Sequence, residues 1–309
     1  MYKNFSEISA SLKNSQPIRV VVASAQDAAV LQAIQGMYHH GFAQAILVGD
    51  SNKIKAIMDQ LEFDIPIDII HEKDARNAAL ISAELVSSGK ADILMKGLIN
   101  SSDFLKAILD HKSGLRTQHL LSHLATFEIP GFSKLAFYTD GGMNLFPDLK
   151  DKIEITVNGI EAMHSIGIEN PNVAVLTANE VINPKMPATV DAASLVEMNQ
   201  DGKLPRCRME GPIALDVALS PDAAVHKGIQ SEISGNVDLF IVPNIEAGNM
   251  IGKSLMYYAG AKMAGVILGA ACPIVMTSRA ENAEGKINSI ALASLIKNKI
   301  DNKIKEQIV

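Results

Sequence analysis

Four short apolar runs near the start of the chain, interleaved with helical periodicity, constrain its fold more than any other feature. They are Arg19-Val20-Val21-Val22-Ala23, Ala45-Ile46-Leu47-Val48-Gly49-Asp50, Ile67 to Ile70, and Ala91-Asp92-Ile93-Leu94-Met95, which ends at Lys96-Gly97. The spacing predicts a helix from Asp27 to about Gly41 and an amphipathic helix from Ala75 to Lys90. Buried, β-branched strands separated by helices point to a parallel sheet with helices packed on it, because parallel strands need crossover connections. In such sheets ligands bind beyond the carboxyl ends of the strands, so the residues that follow each run matter most.

The alternation continues. Leu135-Ala136-Phe137-Tyr138-Thr139 reads as a strand running into the turn signal Asp140-Gly141-Gly142. A helix is predicted from Val157 to Gly167, and strands at Asn172 to Leu176, Leu239 to Val242, Gly265 to Leu268 and Pro273 to Met276. A helix from about Ala280 to Lys299 closes the chain. Met263 to Met276 is the longest apolar stretch and contains Pro273. It is about one turn short of a membrane-spanning helix. As a whole it reads as a helix end, a turn and a buried strand, although Gly265 to Leu268 has strand composition. No Pro-, Gly- or Ser-rich linker divides the 309 residues. That length fits two α/β lobes with a cleft between them.

Composition narrows the function classes. The net charge is −6 and there is no basic block, which argues against nucleic acid or an anionic membrane as partner. A phosphate-bearing ligand must then be held by a local constellation. Residues Met1 to Gln16 lack an apolar core and do not read as a secretory signal. Cys207 and Cys272 fit no ligand or disulfide spacing, so a reducing, cytoplasmic setting is expected.

Three segments carry candidate chemistry. In Cys272-Pro273-Ile274-Val275-Met276-Thr277-Ser278-Arg279-Ala280-Glu281, a strand delivers a hydroxyl and a guanidinium to the start of a helix. Helix N–H groups and an Arg fork suit phosphate, and Ser278 can donate to an oxyanion. The same residues fit a capping box, with Ser278 as N-cap and Glu281 at N3, and a cap residue can still face a ligand. In Met95-Lys96-Gly97-Leu98-Ile99-Asn100-Ser101-Ser102, Lys96 offers a point charge and Gly97 permits close backbone approach; Ser101 or Ser102 can equally cap the next helix. In Pro243-Asn244-Ile245-Glu246-Ala247-Gly248-Asn249, Glu246 and Asn249 stand on a Gly-containing loop, where Glu246 can also be a solvated turn residue. No metal site is expected: His119 and His123 are four apart without an HExxH acid and read as one face of a helix with Leu120 and Leu124. GxSxG and GxGxxG are absent.

Lys96 to Ser101, Gly211-Pro212-Ile213-Ala214-Leu215-Asp216, Pro243 to Asn249 and Thr277-Ser278-Arg279 occur in one order across nearly the whole chain. Together they resemble the phosphate acetyltransferase/phosphate butyryltransferase family, with Ser278-Arg279-Ala280-Glu281 closer to the butyryl branch. The resemblance implies an isocitrate/isopropylmalate dehydrogenase-like α/β fold and a homodimer. One lobe would comprise residues 1–130 plus 270–309, the other 131–269. It implies exchange of coenzyme A and inorganic phosphate on a short acyl group, with coenzyme A as substrate and no tightly bound cofactor. Ser278 would serve the oxyanion and Arg279 the phosphate. Lys106, with Arg116 further on, matches an additional basic residue of the acetyl branch. That branch also has an Asp, proposed as base, at the place of Gly285; here Glu281 or Glu284 stands nearby. Other readings are acetyl-CoA as preferred substrate, a dehydrogenase of the same superfamily, and a non-catalytic module that binds CoA or acyl phosphate.

Overall fold

The computed structural model describes residues 2–13, 15–278 and 281–308, with 298–308 as helical backbone. The chain divides into two compact units, one of Leu120–Lys262 and one of Tyr2–His119 with Met263–Val309.

The discontinuous unit begins with α1 (Phe5–Leu12), β1 (Ile18–Ala23), α2 (Ala28–His39), β2 (Ala43–Gly49), α3 (Ser51–Gln60) and β3 (Asp68–His71). It continues with α4 (Ala75–Ser87), β4 (Ile93–Lys96) and α5 (Ser101–Leu109). The chain returns to it at its end with the two strands and the helix here labelled β10 (Lys262–Leu268), β11 (Ile274–Val275) and α11 (Ala283–Ile308). The strand order is β3-β2-β1-β4-β11-β10, parallel except where β10 meets β11. Val20, Val21 and Val22 are all buried, so β1 is covered on both faces, as a parallel strand must be. Helices α2 and α11 pack together, and α4 lies on β1 and β2 with α5 beside it. Helices α2, α3 and α4 each start on an aspartate that accepts a backbone N–H of its own first turn: Asp27 from Val30, Asp50 from Asn52, and Asp74 from Arg76 and Asn77.

The continuous unit contains β5 (Ser122–Glu128), β6 (Ala136–Thr139), α6 (Leu149–Ser165), β7 (Asn172–Leu176) and α7 (Pro187–Gln200). After these come β8 (Arg208–Ile213), α8 (Leu215–Leu219), α9 (Pro221–His226), β9 (Leu239–Ile241) and α10 (Ile245–Tyr257). Its strand order is β5-β6-β9-β7-β8, with only β5 and β6 antiparallel.

Several local expectations are corrected. His123 lies on β5, not on a helix, and His119 precedes that strand. The four-residue spacing of Leu120 and Leu124 suits a helix, but Leu124 is buried in a sheet. The stretch from Met263 opens as strand β10 and not as a helix end. The closing helix starts at Ala283, with the Asn282 side chain accepting from the Gly285 N–H at 2.9 Å. Asn282 therefore takes the capping role expected of Ser278, and Glu281 precedes the helix.

Candidate active site

The parallel register places β4 between β1 and β11: Val22 stands beside Met95, and Val275 beside Met95 on the other side. Lys96-Gly97 and Met276-Thr277-Ser278 thus leave neighbouring strands at the same, carboxyl edge of the sheet. This edge is where an open parallel sheet leaves room for a ligand.

At that edge the backbones pack closely. The Gly97 N–H donates to Ala23 O at 2.9 Å and the Leu98 N–H to Ser24 O at 2.7 Å. A Cβ on Gly97 would stand 2.8 Å from Ala23 O and 2.9 Å from the Ser24 carbonyl carbon. The close approach that Gly97 permits is therefore to the chain's own β1 end. Lys96 is buried at 5% exposure, an uncommon state for a lysine.

Ser278 is exposed just past β11, and its carbonyl accepts the Glu281 N–H at 3.0 Å. Arg279 lies outside the described residues. Glu281 folds its side chain over the first turn of α11: its Cδ would be 2.7 Å from a Cβ on Gly285. A carboxylate thus occupies the space beside position 285 although residue 285 has no side chain. Glu284 is exposed in the first turn of α11.

Lys286 went unread in the sequence, yet it is only 4% exposed. Its Nζ donates to Glu281 O at 3.0 Å, Thr277 Oγ1 at 3.2 Å and Ser278 O at 3.5 Å. Burial lowers its pKa, while the charges of Asp27 and Glu281 act in the opposite sense. The signal available was a lysine near the start of a helix that runs into the core: Ile290, Ala291 and Leu292 beyond it are fully buried.

The remaining basic candidates are on the surface. Lys106 is exposed in the last turn of α5, and Arg116 is exposed with its Nη1 3.1 Å from His111 Nε2. Ser101 and Ser102 are exposed first-turn residues of α5; its N-cap is Asn100, not either serine.

In the other unit, Glu246 and Asn249 are exposed on the first turns of α10, so their segment is a helix start and not a loop. Asn244 caps that helix by accepting from the Ala247 N–H at 3.0 Å. Gly248 is buried against the turn after β6, where its Cβ would be 2.6 Å from Gly141 Cα. Asp140 organises that turn, accepting from the N–H groups of Gly142 at 2.8 Å and Met143 at 2.9 Å. Half-buried His123 backs it: a Cβ on Gly142 would meet the imidazole at 2.8 Å. Burial lowers the His123 pKa and the Asp140 charge opposes this. Sequence reasoning read Asp140-Gly141-Gly142 as a turn and saw no further role.

Among the described residues, no three His, Cys, Asp or Glu side chains gather as a metal-holding group. No described helix is long and apolar enough to cross a membrane.

Known proteins share both sequence and fold with this chain. Phosphate butyryltransferase of Clostridium acetobutylicum is 47% identical over 297 residues, which is 96% of this chain and 99% of that protein. The crystal structure of a branched-chain phosphotransacylase from Enterococcus faecalis superposes with a TM-score of 0.82 at 31% identity, covering 91% of this chain and 99% of that one. A 4-hydroxythreonine-4-phosphate dehydrogenase from Klebsiella pneumoniae matches with a TM-score of 0.58 at 12% identity, covering 92% and 98%. That last likeness concerns the fold alone, and places the chain in a fold class that also holds dehydrogenases. The phosphate acetyl/butaryl transferase model spans residues 67–294, a stretch that contains β4, β11, Ser278 and Glu281. The chain belongs to the phosphate acetyl/butaryl transferase family.

Proposed function

We propose that this protein catalyses reversible exchange of coenzyme A and inorganic phosphate on a short straight or branched acyl group, with butyryl-CoA-type thioesters as its substrates. The observation that carries the reading is the convergence of Lys96-Gly97 and Thr277-Ser278 at the carboxyl edge of adjacent strands, with the Glu281 carboxylate over the start of α11.

The chemistry assigns the roles. In the direction of thioester synthesis, the thiol of coenzyme A loses its proton, because thiolate is the nucleophile. Glu281 takes that proton, standing in space for the carboxylate that Gly285 lacks. The thiolate attacks the acyl-phosphate carbonyl and a tetrahedral oxyanion forms. Ser278 donates a hydrogen bond to it. The C–O bond to phosphate then breaks, and the departing dianion meets Arg279, with Lys96 supplying positive charge at the same edge. Lys106 and Arg116, both exposed, are assigned to the charged outer parts of the ligands, and Gly97 and Ser101 to the backbone that shapes the edge. In the other unit, Glu246 and Asn249 are assigned to substrate contact.

The same proposal includes a homodimer in the cytoplasm. On and just after α10, Met250, Tyr257 and Tyr258 are 63%, 74% and 92% exposed, apolar area suited to a second copy. Cys207 and Cys272 are both free cysteines, as a reducing compartment would keep them; burial pushes the pKa of each thiol up to about 12, which leaves it unreactive.

The test is release of free coenzyme A from acetyl-, butyryl- and isobutyryl-CoA with and without phosphate. Phosphate-dependent release, fastest with a four-carbon acyl group, is expected. Ser278→Ala should lower kcat by roughly 10²–10³-fold. Absence of release with all three thioesters in folded protein would sink the reading.

A further inference from the structure

The ammonium of Lys286 makes three hydrogen bonds, and all three acceptors belong to the segment between β11 and α11: Thr277 Oγ1, Ser278 O and Glu281 O. A protonated lysine has three donors and no acceptor, so this set uses its full capacity. Lys286 sits one helical turn past Glu281, at 4% exposure, reaching back over the start of its own helix. It has no donor left for a ligand. What it controls is the path of the chain that presents Ser278.

We propose that Lys286 is a positioning residue for the acyl-exchange site, holding Ser278 and Glu281 in register with one another through their backbone carbonyls and Thr277. The inference rests on the reading of Ser278 and Glu281 given above.

Two features support it. Ser278 O accepts both the Glu281 N–H at 3.0 Å and the Lys286 ammonium, so one carbonyl ties the oxyanion donor to the base. Burial disfavours the ammonium form, and the charges of Asp27, at the start of α2, and Glu281 offset part of that. Burying an ammonium is costly unless hydrogen bonds compensate, and the bonds here are all to the loop. Lys286 is thus distinct from Lys96, the last residue of β4, which is assigned to charge.

The experiment compares wild type, Lys286→Met, Ser278→Ala and the double variant. With butyryl-CoA and phosphate, Lys286→Met should lower kcat about 100-fold, the cost of a displacement on the order of 1 Å, while KM for butyryl-CoA changes less than about threefold. In the Ser278→Ala background the same substitution should cost less than about threefold, because residues that act as a unit do not add. Exchange of the Glu281 amide, whose N–H is held by Ser278 O, should rise at least about tenfold in Lys286→Met, with the rest of α11 unchanged. Wild-type kcat in Lys286→Met, or losses that multiply in the double variant, would overturn the proposal. If the wild-type protein exchanges no acyl group, the functional reading fails by itself, and the exchange measurement still decides whether Lys286 holds the segment; unchanged exchange there would refute it. Should Lys286→Met not fold, Thr277→Val keeps the shape and removes one acceptor. It should lower kcat at least about fivefold alone and less than about twofold beside Ser278→Ala; no difference between the two backgrounds would refute the proposal.

Discussion

A carboxylate can reach one point in space from more than one position in a helix, and the start of α11 is a case. Gly285 has no side chain, but Glu281 arrives from the preceding turn and fills the volume a Cβ there would claim. Moving the acid back along the chain should therefore be possible. Glu281→Gln should lower kcat by roughly 10²–10⁴-fold, and by more than Glu284→Gln does. Glu281→Ala combined with Gly285→Asp should regain at least about tenfold over Glu281→Ala alone. Steady-state kinetics with butyryl-CoA decide both, and equal losses at 281 and 284 would remove the spatial argument. Arg279→Ala should raise KM for phosphate and lower turnover. Ser278, Arg279 and Glu281 stood out in the sequence because hydroxyl, guanidinium and acid follow a buried strand, while the roles proposed for them come from the family resemblance. Lys286 was not, because nothing in one dimension shows that its ammonium turns back onto Thr277, Ser278 and Glu281.

Strands announced themselves as β-branched runs, and β1, β2, β4, β7 and β9 lie where those runs are. Helices with mixed patterns did not. In α10, Gly248 was read as a loop residue; it is buried where the helix passes too close to Gly141 for a Cβ, and Gly252, one turn on, is buried tightly against Phe127. Leu120 and Leu124 suggested a helix where β5 runs, since two apolar residues four apart satisfy both periods. The Arg19–Asp92 pair shows a different kind of information, a contact between β1 and the residue just before β4. Arg19 Nη2 is 2.7 Å from Asp92 Oδ1, and the Arg19 Nε and backbone N–H both donate to Oδ2, at 3.0 and 2.9 Å. Burial pushes the Asp92 carboxyl up, but these bonds and the charges of Arg19 and Lys297 hold it below its ordinary value of 3.8. A depressed acid stabilises the folded state above its unfolded pKa, and that contribution disappears as pH falls through the lower folded value. Wild type should therefore melt higher than Asp92→Asn near neutrality, and the gap should close below about pH 4. A gap in Tm that does not depend on pH would contradict the ion-pair account.

The whole molecule is organised by an interruption: residues Leu120–Lys262 form one unit, set into the sequence of another. The ordered motifs were readable across both units, since spacing along the chain does not depend on where the chain goes in space. The family resemblance implied that residues 270–309, which hold β11 and α11, belong with the start of the chain; it left β10 with residues 131–269. Strand β4 ends at Lys96 and its neighbour β11 begins at Ile274. On a ribosome adding ~5–20 residues per second, those edges are separated by roughly 10–40 s of synthesis. For that interval one edge of β4 has no partner, and it is spent largely on synthesis of Leu120–Lys262. A nascent chain released between Lys262 and Ile274 would carry the whole inserted segment beside an open-edged sheet, and would lack Ser278, Glu281 and Lys286. Translation thus withholds the proposed acyl chemistry from copies that stop before β11.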